Sequence, residues 1–326
     1  MMPAKVLITR AVFPEVLAHL AAHFEVDYHA VDESLAPSAL AARLADKTGA
    51  LTMPTDRIDA ELLAVCPQLR AVCNGAVGYN NFDLEAMSRA GVMATNTPGV
   101  LDDTTADLAW SLLLASARRV VAADQWLRAG CWDGWRLTGW LGQDVHHATL
   151  GILGMGRIGQ AVARRAAGFS MRVIYHNRRR LPEAAERECN ATWVDKTTLL
   201  RDADFLVLLL PYTPGSHHII GAAELALMKP GAHLVNIARG GIVDDDALIE
   251  ALAAHRIGGA GLDVFEGEPA LDRRFFGLDN VVLTPHIGSA SVATRMKMMM
   301  LAADNLIAAL SGAVPPNLLN PEARAC

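Results

Sequence analysis

The chain of 326 residues is poor in cysteine and lacks the spacings that would give cysteine a structural task. Its five thiols, Cys66, Cys73, Cys131, Cys189 and Cys326, are odd in number and scattered, and no Cys-x-x-Cys pair occurs. This argues against a disulfide framework or a zinc site and for reduced thiols in a cytoplasmic protein. Positive charge is also in deficit. Lys and Arg number 29 against 35 Asp and Glu, a net charge of −6, whereas nucleic-acid binders carry a basic surplus. No uninterrupted apolar run reaches the roughly 18 residues needed to span a membrane. The first ten residues pass straight into a short strand pattern, without a leader's long apolar stretch.

Hydrophobic residues make up 52% of the chain and charged residues 20%, a globular composition with length for two domains. The central stretch is Gly151-Ile-Leu-Gly154-Met-Gly156-Arg157-Ile158-Gly159. The apolar run Leu150–Leu153 precedes it and a helix former, Ala161–Ala167, follows. Strand, glycine turn and helix in that order are the context a dinucleotide fingerprint requires. Gly154 allows the tight turn, Gly156 lets a pyrophosphate approach the backbone, and Gly159 lets the helix pack close to the strand. Free N–H groups at the helix start would then face the phosphates.

Strand patterns alternate with helix patterns on both sides of this stretch, which implies parallel sheets with crossover helices. The expected architecture is α/β, with two Rossmann-like, doubly wound parallel-sheet domains. Residues 1–99 and 288–326 form a discontinuous substrate-binding domain, because the last helix, Val292 to Leu310, returns to it. Residues 100–287 form the nucleotide-binding domain. One long apolar helix is expected from a cap at Asp102 or Asp103 through Trp110 to about Asp124. The methionines of the last helix read as core packing. Trp132, Trp135 and Trp140 lie in an irregular stretch, residues 128–148, which reads either as an interface or as a loop folded on its own domain. Asn74–Asp83 reads equally as a plain turn or as an anion nest whose Ala76, Val77 and Gly78 amides take a carboxylate.

The second strand of the nucleotide unit, Arg172–Tyr175, runs into His176-Asn177-Arg178-Arg179-Arg180. An NAD site would place an acidic residue about 20 positions past the glycines. Here arginines stand instead, and guanidinium groups match the 2′-phosphate of NADP. Arg239, Asp263 and His286 each follow an apolar strand, so they should meet the glycine loop at one crevice. Arginine binds carboxylates bidentately. Histidine exchanges protons near neutral pH, and a carboxylate such as Glu268 beside it would orient the ring and favour its protonated form. This set suits hydride transfer to a 2-keto acid. His217-His218 reads as structural, and no metal site is expected.

The segments Gly154–Gly159, Asn236–Asp244, Gly261–Pro269 and Thr284–Ser289 together resemble the D-isomer-specific 2-hydroxyacid dehydrogenase family. The resemblance implies Arg239, Glu268 and His286 as the catalytic residues. It implies cofactor contacts at Gly154, Gly156, Arg157, Ile158, Gly159, Asn177, Arg178, Arg179, Pro211, Ala238, Asp263 and Thr105. It also implies substrate contacts at Ala76, Val77, Gly78, Arg239 and His286. Trp140 matches a tryptophan that reaches into the partner subunit's active site in related reductases, which implies a homodimer. Within the family, the chain is similar to bacterial glyoxylate/hydroxypyruvate reductases that also reduce 2-ketogluconate and favour NADPH, with NAD as the second cofactor. The alternatives are a short phosphoglycerate dehydrogenase using NAD, and a nucleotide-sensing module of the corepressor type.

Overall fold

Phe205-Leu206-Val207-Leu208 is apolar at every position, as a strand covered on both faces requires. The computed structural model describes residues 3–325; Cys326 lies outside them. Phe205 and Val207 face one hydrophobic cluster, and Leu206 and Leu208 face another. Each side of this strand is therefore a core.

The chain divides into two compact units. One runs to Leu101 and resumes at Ala290; the other is Asp102–Ser289. In the first unit the strands are β1 (Lys5–Ile8), β2 (Glu25–Tyr28), β3 (Gly49–Thr52), β4 (Ala71–Asn74) and β5 (Met93–Thr95). They form a parallel sheet in the order β2-β1-β3-β4-β5. The helix Val292–Leu310 packs on β3 and β4, burying Met298 and Met299, so this unit is discontinuous in sequence.

The second unit holds β6 (Thr149–Leu153), β7 (Arg172–His176), β8 (Ala191–Trp193), β9 (Phe205–Leu208), β10 (His233–Asn236), β11 (Gly259–Leu262) and β12 (Val281–Leu283). All seven are parallel, in the order β12-β11-β10-β9-β6-β7-β8. The order reverses between β6 and β9, and in such sheets ligands bind outside the carboxyl ends of strands at that reversal. The glycine loop leaves β6 at this point. Asp244 caps the helix Asp245–Ala253 by accepting the Ala247 N–H at 3.1 Å.

The single helix expected from Asp102 to about Asp124 is two helices, Asp102–Ala117 and Val120–Arg128. Arg119 between them has φ 53°, in the left-handed region. The cause is tertiary. Gln143 N–H donates to the Ala117 carbonyl at 2.9 Å, and a Cβ on Gly142 would stand 2.4 Å from that oxygen. The returning chain ends the helix by capping it from the side, and no proline or glycine in the helix marks the break.

Candidate active site

The glycine loop has the geometry its residues dictate. Gly154 adopts φ +104°, and a Cβ there would meet the Leu209 carbonyl carbon at 2.6 Å. A Cβ on Gly159 would stand 2.6 Å from the Gly154 carbonyl oxygen, so the helix Arg157–Ala166 could not approach the turn with any larger residue. A Cβ on Gly156 would meet nothing within 4 Å. Gly156 is also the N-cap of that helix, and no side chain caps it. No side chain shields the helix start at Gly156, which faces open space and fits a dinucleotide pyrophosphate. Ile158 packs against the core. Arg157 Nε donates to Asp102 Oδ2 at 2.9 Å, so Asp102 is the first helical residue of its own helix and holds a salt bridge there.

The end of β7 is tied to this loop. Asn177 Oδ1 accepts the Met155 N–H at 2.7 Å, and Asn177 Nδ2 donates to the Met155 carbonyl at 3.3 Å. Trp193 Nε1 holds the Asn177 carbonyl at 3.1 Å. Arg178 and Arg179 are exposed, and neither makes an ion pair among the described residues. Arg180 differs: its guanidinium grips Glu186 with two bonds of 2.8 Å. Glu186 is 7% exposed and also accepts the Tyr175 hydroxyl at 2.7 Å. These bonds, Arg180 first, hold the Glu186 carboxyl down to about 2. The basic turn therefore divides into two arginines facing solvent and one spent on structure. The carboxylate nearby has its oxygens taken by Arg180 and Tyr175.

Arg239, Asp263 and His286 follow β10, β11 and β12, which are adjacent in the sheet. Asn236 sets the first loop: its Oδ1 accepts the Ala238 N–H at 3.1 Å, and its Nδ2 donates to the Arg239 carbonyl at 3.2 Å. A Cβ on Gly240 would stand 1.8 Å from the Phe265 carbonyl oxygen, so only glycine lets this loop lie against the segment that carries Glu268. Burial pushes the Arg239 guanidinium down, and the nearby Glu268 carboxylate opposes that shift. Ala238 is buried, and Pro211, in the loop after β9, is exposed.

His286 Nδ1 and Glu268 Oε2 lie 2.8 Å apart. Glu268 Oε1 accepts the Phe265 N–H at 2.8 Å, which fixes the carboxylate. Burial pushes the Glu268 carboxyl up, but the bonds from His286 and Phe265 and the charges of His286 and Arg239 outweigh it. The group sits below its usual range and stays ionised. With Nδ1–H given to Glu268, Nε2–H of a protonated ring is free to serve as a proton donor.

The chief finding that sequence reasoning missed concerns Asp263. It is 1% exposed. Its Oδ1 accepts the Thr284 hydroxyl at 2.6 Å and the Ile287 N–H at 2.8 Å, and its Oδ2 accepts the Gly288 N–H at 2.9 Å. His286 N–H donates to the Asp263 carbonyl at 3.0 Å. Asp263 therefore clamps the turn that carries His286, whose φ of 52° costs about 1–3 kcal/mol unless the surroundings impose it. Burial raises the Asp263 carboxyl against the pull of these same bonds. Thr105 is buried at the start of its helix, with its Cγ2 3.6 Å from where a Gly288 Cβ would stand.

In the other unit, Ala76 is buried and Val77 and Gly78 are half-buried. Asn96 Nδ2 holds the Val77 carbonyl at 2.8 Å, and Asn74 Nδ2 holds the Gly78 carbonyl at 2.8 Å. With the carbonyls pinned, the Val77 and Gly78 N–H groups donate to no acceptor among the described residues. Trp140 is 38% exposed; it lies 5.5 Å from the Trp126 ring, with Arg119 Cζ 5.2 Å from its own ring. Val120, Leu127, Trp132, Trp135, Leu137 and Leu141 around it are all exposed. Among the described residues no helix is long and apolar enough to cross a membrane.

Known proteins match the chain over nearly all of its length. The family profile "D-isomer specific 2-hydroxyacid dehydrogenase, NAD binding domain" matches residues 110–288. A glyoxylate reductase of Thermococcus gammatolerans is 49% identical over 325 residues, covering 98% of this chain and 97% of the relative. The crystal structure of a glyoxylate reductase from Paecilomyes thermophila superposes with a TM-score of 0.88 at 32% identity, covering 99% of both chains. An NADPH-dependent glyoxylate/hydroxypyruvate reductase from Sinorhizobium meliloti, solved with NADP and malonate, gives a TM-score of 0.86 at 32% identity. That match covers 99% of this chain and 98% of the other. Fold, glycine loop and full-length identity converge: the chain belongs to the D-isomer specific 2-hydroxyacid dehydrogenase family and is an NAD(P)-dependent enzyme that interconverts 2-keto and 2-hydroxy acids.

Proposed function

We propose that the enzyme is an NADPH-dependent reductase of small 2-keto acids, with glyoxylate, hydroxypyruvate and 2-ketogluconate as its substrate range. The observation that carries the reading is the 2.8 Å His286–Glu268 pair beyond the same sheet edge as the glycine loop. Arg239 binds the substrate carboxylate and polarises the keto oxygen. A nicotinamide dinucleotide, when bound, would supply the hydride to the keto carbon. His286 gives its Nε2 proton to the keto oxygen, and the ionised Glu268 orients the ring through its Nδ1. The product is a D-2-hydroxy acid.

The Val77 and Gly78 amides, with Ala76 beside them, are proposed to bind a carboxylate. The basis is that their carbonyls are pinned while their N–H groups have no internal acceptor. For the cofactor, Arg178 and Arg179 would receive the 2′-phosphate, while Asn177 ties their turn to the glycine loop. Arg157, Ile158, Pro211, Ala238 and Thr105 would line the rest, with Asp263 behind them holding the turn that carries His286. The relative solved with NADP supports this preference. The exposed apolar set on the helix Val120–Arg128 and the tryptophan loop supports a homodimer. In it, Trp140 would contribute to the partner's substrate site.

The test is a substrate panel run with both cofactors. Higher kcat/KM for glyoxylate with NADPH than with NADH is expected. Preference for NADH with a phosphorylated 3-carbon hydroxy acid would favour the phosphoglycerate dehydrogenase reading instead.

A further inference from the structure

His217, His218 and Glu266 lie outside the proton-transfer pair, and nothing in the proposed reaction uses them. Glu266 is 48 residues from His218 in sequence. In the structure each of the three residues offers one ligand atom, and these atoms lie within 4.8 Å of one another. His218 Nε2 and Glu266 Oε2 are 2.9 Å apart. The His217 and His218 rings stack with centroids 3.8 Å apart, so both imidazoles present themselves to one spot. Tyr212 Oη lies 3.2 Å from His217 Nδ1 and restrains that ring, as outer partners restrain metal-bound imidazoles. Asp245 accepts the Glu266 N–H at 3.1 Å and adds a second negative charge beside the set.

We propose that His217, His218 and Glu266 form a site for one divalent transition-metal ion of the zinc type. Two imidazoles and a carboxylate are a donor set for zinc or nickel, whereas magnesium and calcium require oxygen ligands. Zinc binds such donors at about 2.0–2.2 Å, which places tetrahedral ligand atoms about 3.5 Å apart. The rings and carboxylate need close by only about 1 Å, and all three side chains reach solvent. In the metal-free state the proton shared by His218 and Glu266 holds two of the ligands together where the ion would. Three protein ligands leave a fourth position for water. The ion would join the loop after β9, which contains Pro211, to the segment that continues from Glu266 into Glu268. The site does not depend on which 2-keto acid the enzyme reduces.

The experiment is equilibrium dialysis of the full chain against zinc sulfate, with magnesium chloride in parallel, followed by metal analysis. The background is Cys131→Ser, because Cys131 is an exposed thiol and another soft ligand. One zinc per chain and no magnesium is expected. Affinity should fall about tenfold or more in both His217→Ala and Glu266→Gln. Zinc should also raise the melting temperature of the background protein but not of either variant. Two variants on different loops keep the test decisive if one folds poorly. Absence of zinc binding, equal magnesium binding, or zinc affinity unchanged in both variants would overturn the proposal.

Discussion

Asp263→Asn is the substitution that separates positioning from cofactor contact. The change is isosteric but leaves one oxygen to do the work of two. The carboxylate now accepts from Thr284, Ile287 and Gly288. An amide keeps at best the Oδ1 bonds, and the Gly288 N–H then faces an NH2 group. A hydrogen bond to a charged group contributes about 1.5–3 kcal/mol. Part of that loss is returned, because burial already disfavours the Asp263 carboxylate. A net destabilisation of about 1–2 kcal/mol follows, visible as a lower melting temperature.

The kinetic effect should be larger than this stability change suggests. His286 sits at φ 52° on the turn that Asp263 clamps, and its ring must stay 2.8 Å from Glu268. A misplacement of 1 Å at a reacting group can cost about 10²-fold. The expected result is therefore a fall in kcat of about 10- to 100-fold, with the KM for NADPH moved by less than about threefold. The assay is steady-state reduction of glyoxylate, varying each substrate in turn. If kcat stayed within about twofold of the native value and the whole loss fell in the KM for NADPH, Asp263 would be a cofactor ligand and the clamp reading would fail.

Three other outcomes follow from particular contacts. Arg178→Ala should raise the KM for NADPH by about tenfold or more while leaving NADH use unchanged; Arg180→Ala should instead lower the melting temperature, because Arg180 satisfies Glu186. Glu268→Gln should lower kcat by about tenfold or more, since the ionised carboxylate that holds the His286 ring at 2.8 Å is gone; an unchanged kcat in a folded variant would remove Glu268 from the reaction. Burial first, then the charges of Glu266, Asp244 and Asp272, push the Asp245 carboxyl up to about 6 from 3.8, so the folded state holds that proton more tightly than the unfolded state does. Stability is therefore lost as pH rises through this window. Relieving the ionised form is worth at most about 3 kcal/mol, cut by solvent screening to about 1–2 kcal/mol. Asp245→Asn should then raise the melting temperature at pH 7.5 but not at pH 4, and equal effects at both would contradict the shift.

What the sequence revealed and what it hid differ by kind of interaction. The glycine loop was legible because its pattern is compact: Gly159 would place a Cβ on the Gly154 carbonyl five residues back, although the clash at Gly154 is with the distant Leu209 and Leu210. Arg239, Asp263 and His286 were legible because each follows an apolar strand, and parallel strands deliver their loops to one edge. Interactions between distant segments were not legible. The break at Arg119 is imposed by Gly142 and Gln143 arriving from the tryptophan loop. The short strand Ala191–Trp193 has too few residues for a period, and it forms because β7 offers it an edge. Arg180 looked like its neighbours until Glu186, on the following helix, proved to hold it. The bonds from Asp263 to the His286 turn join segments 24 and 25 residues apart, and no local pattern shows them.

The most direct test of the account is glyoxylate reduction by the native enzyme and by His286→Ala, each with saturating NADPH. The account predicts turnover by the native enzyme and a loss of at least about 10²-fold in kcat for the variant, the low end for general acid catalysis. It also predicts an intact fold in the variant, because the backbone bonds of the turn do not need the ring. Native kcat in a folded His286→Ala enzyme would contradict the assignment of the proton donor, and with it the reaction proposed for this site.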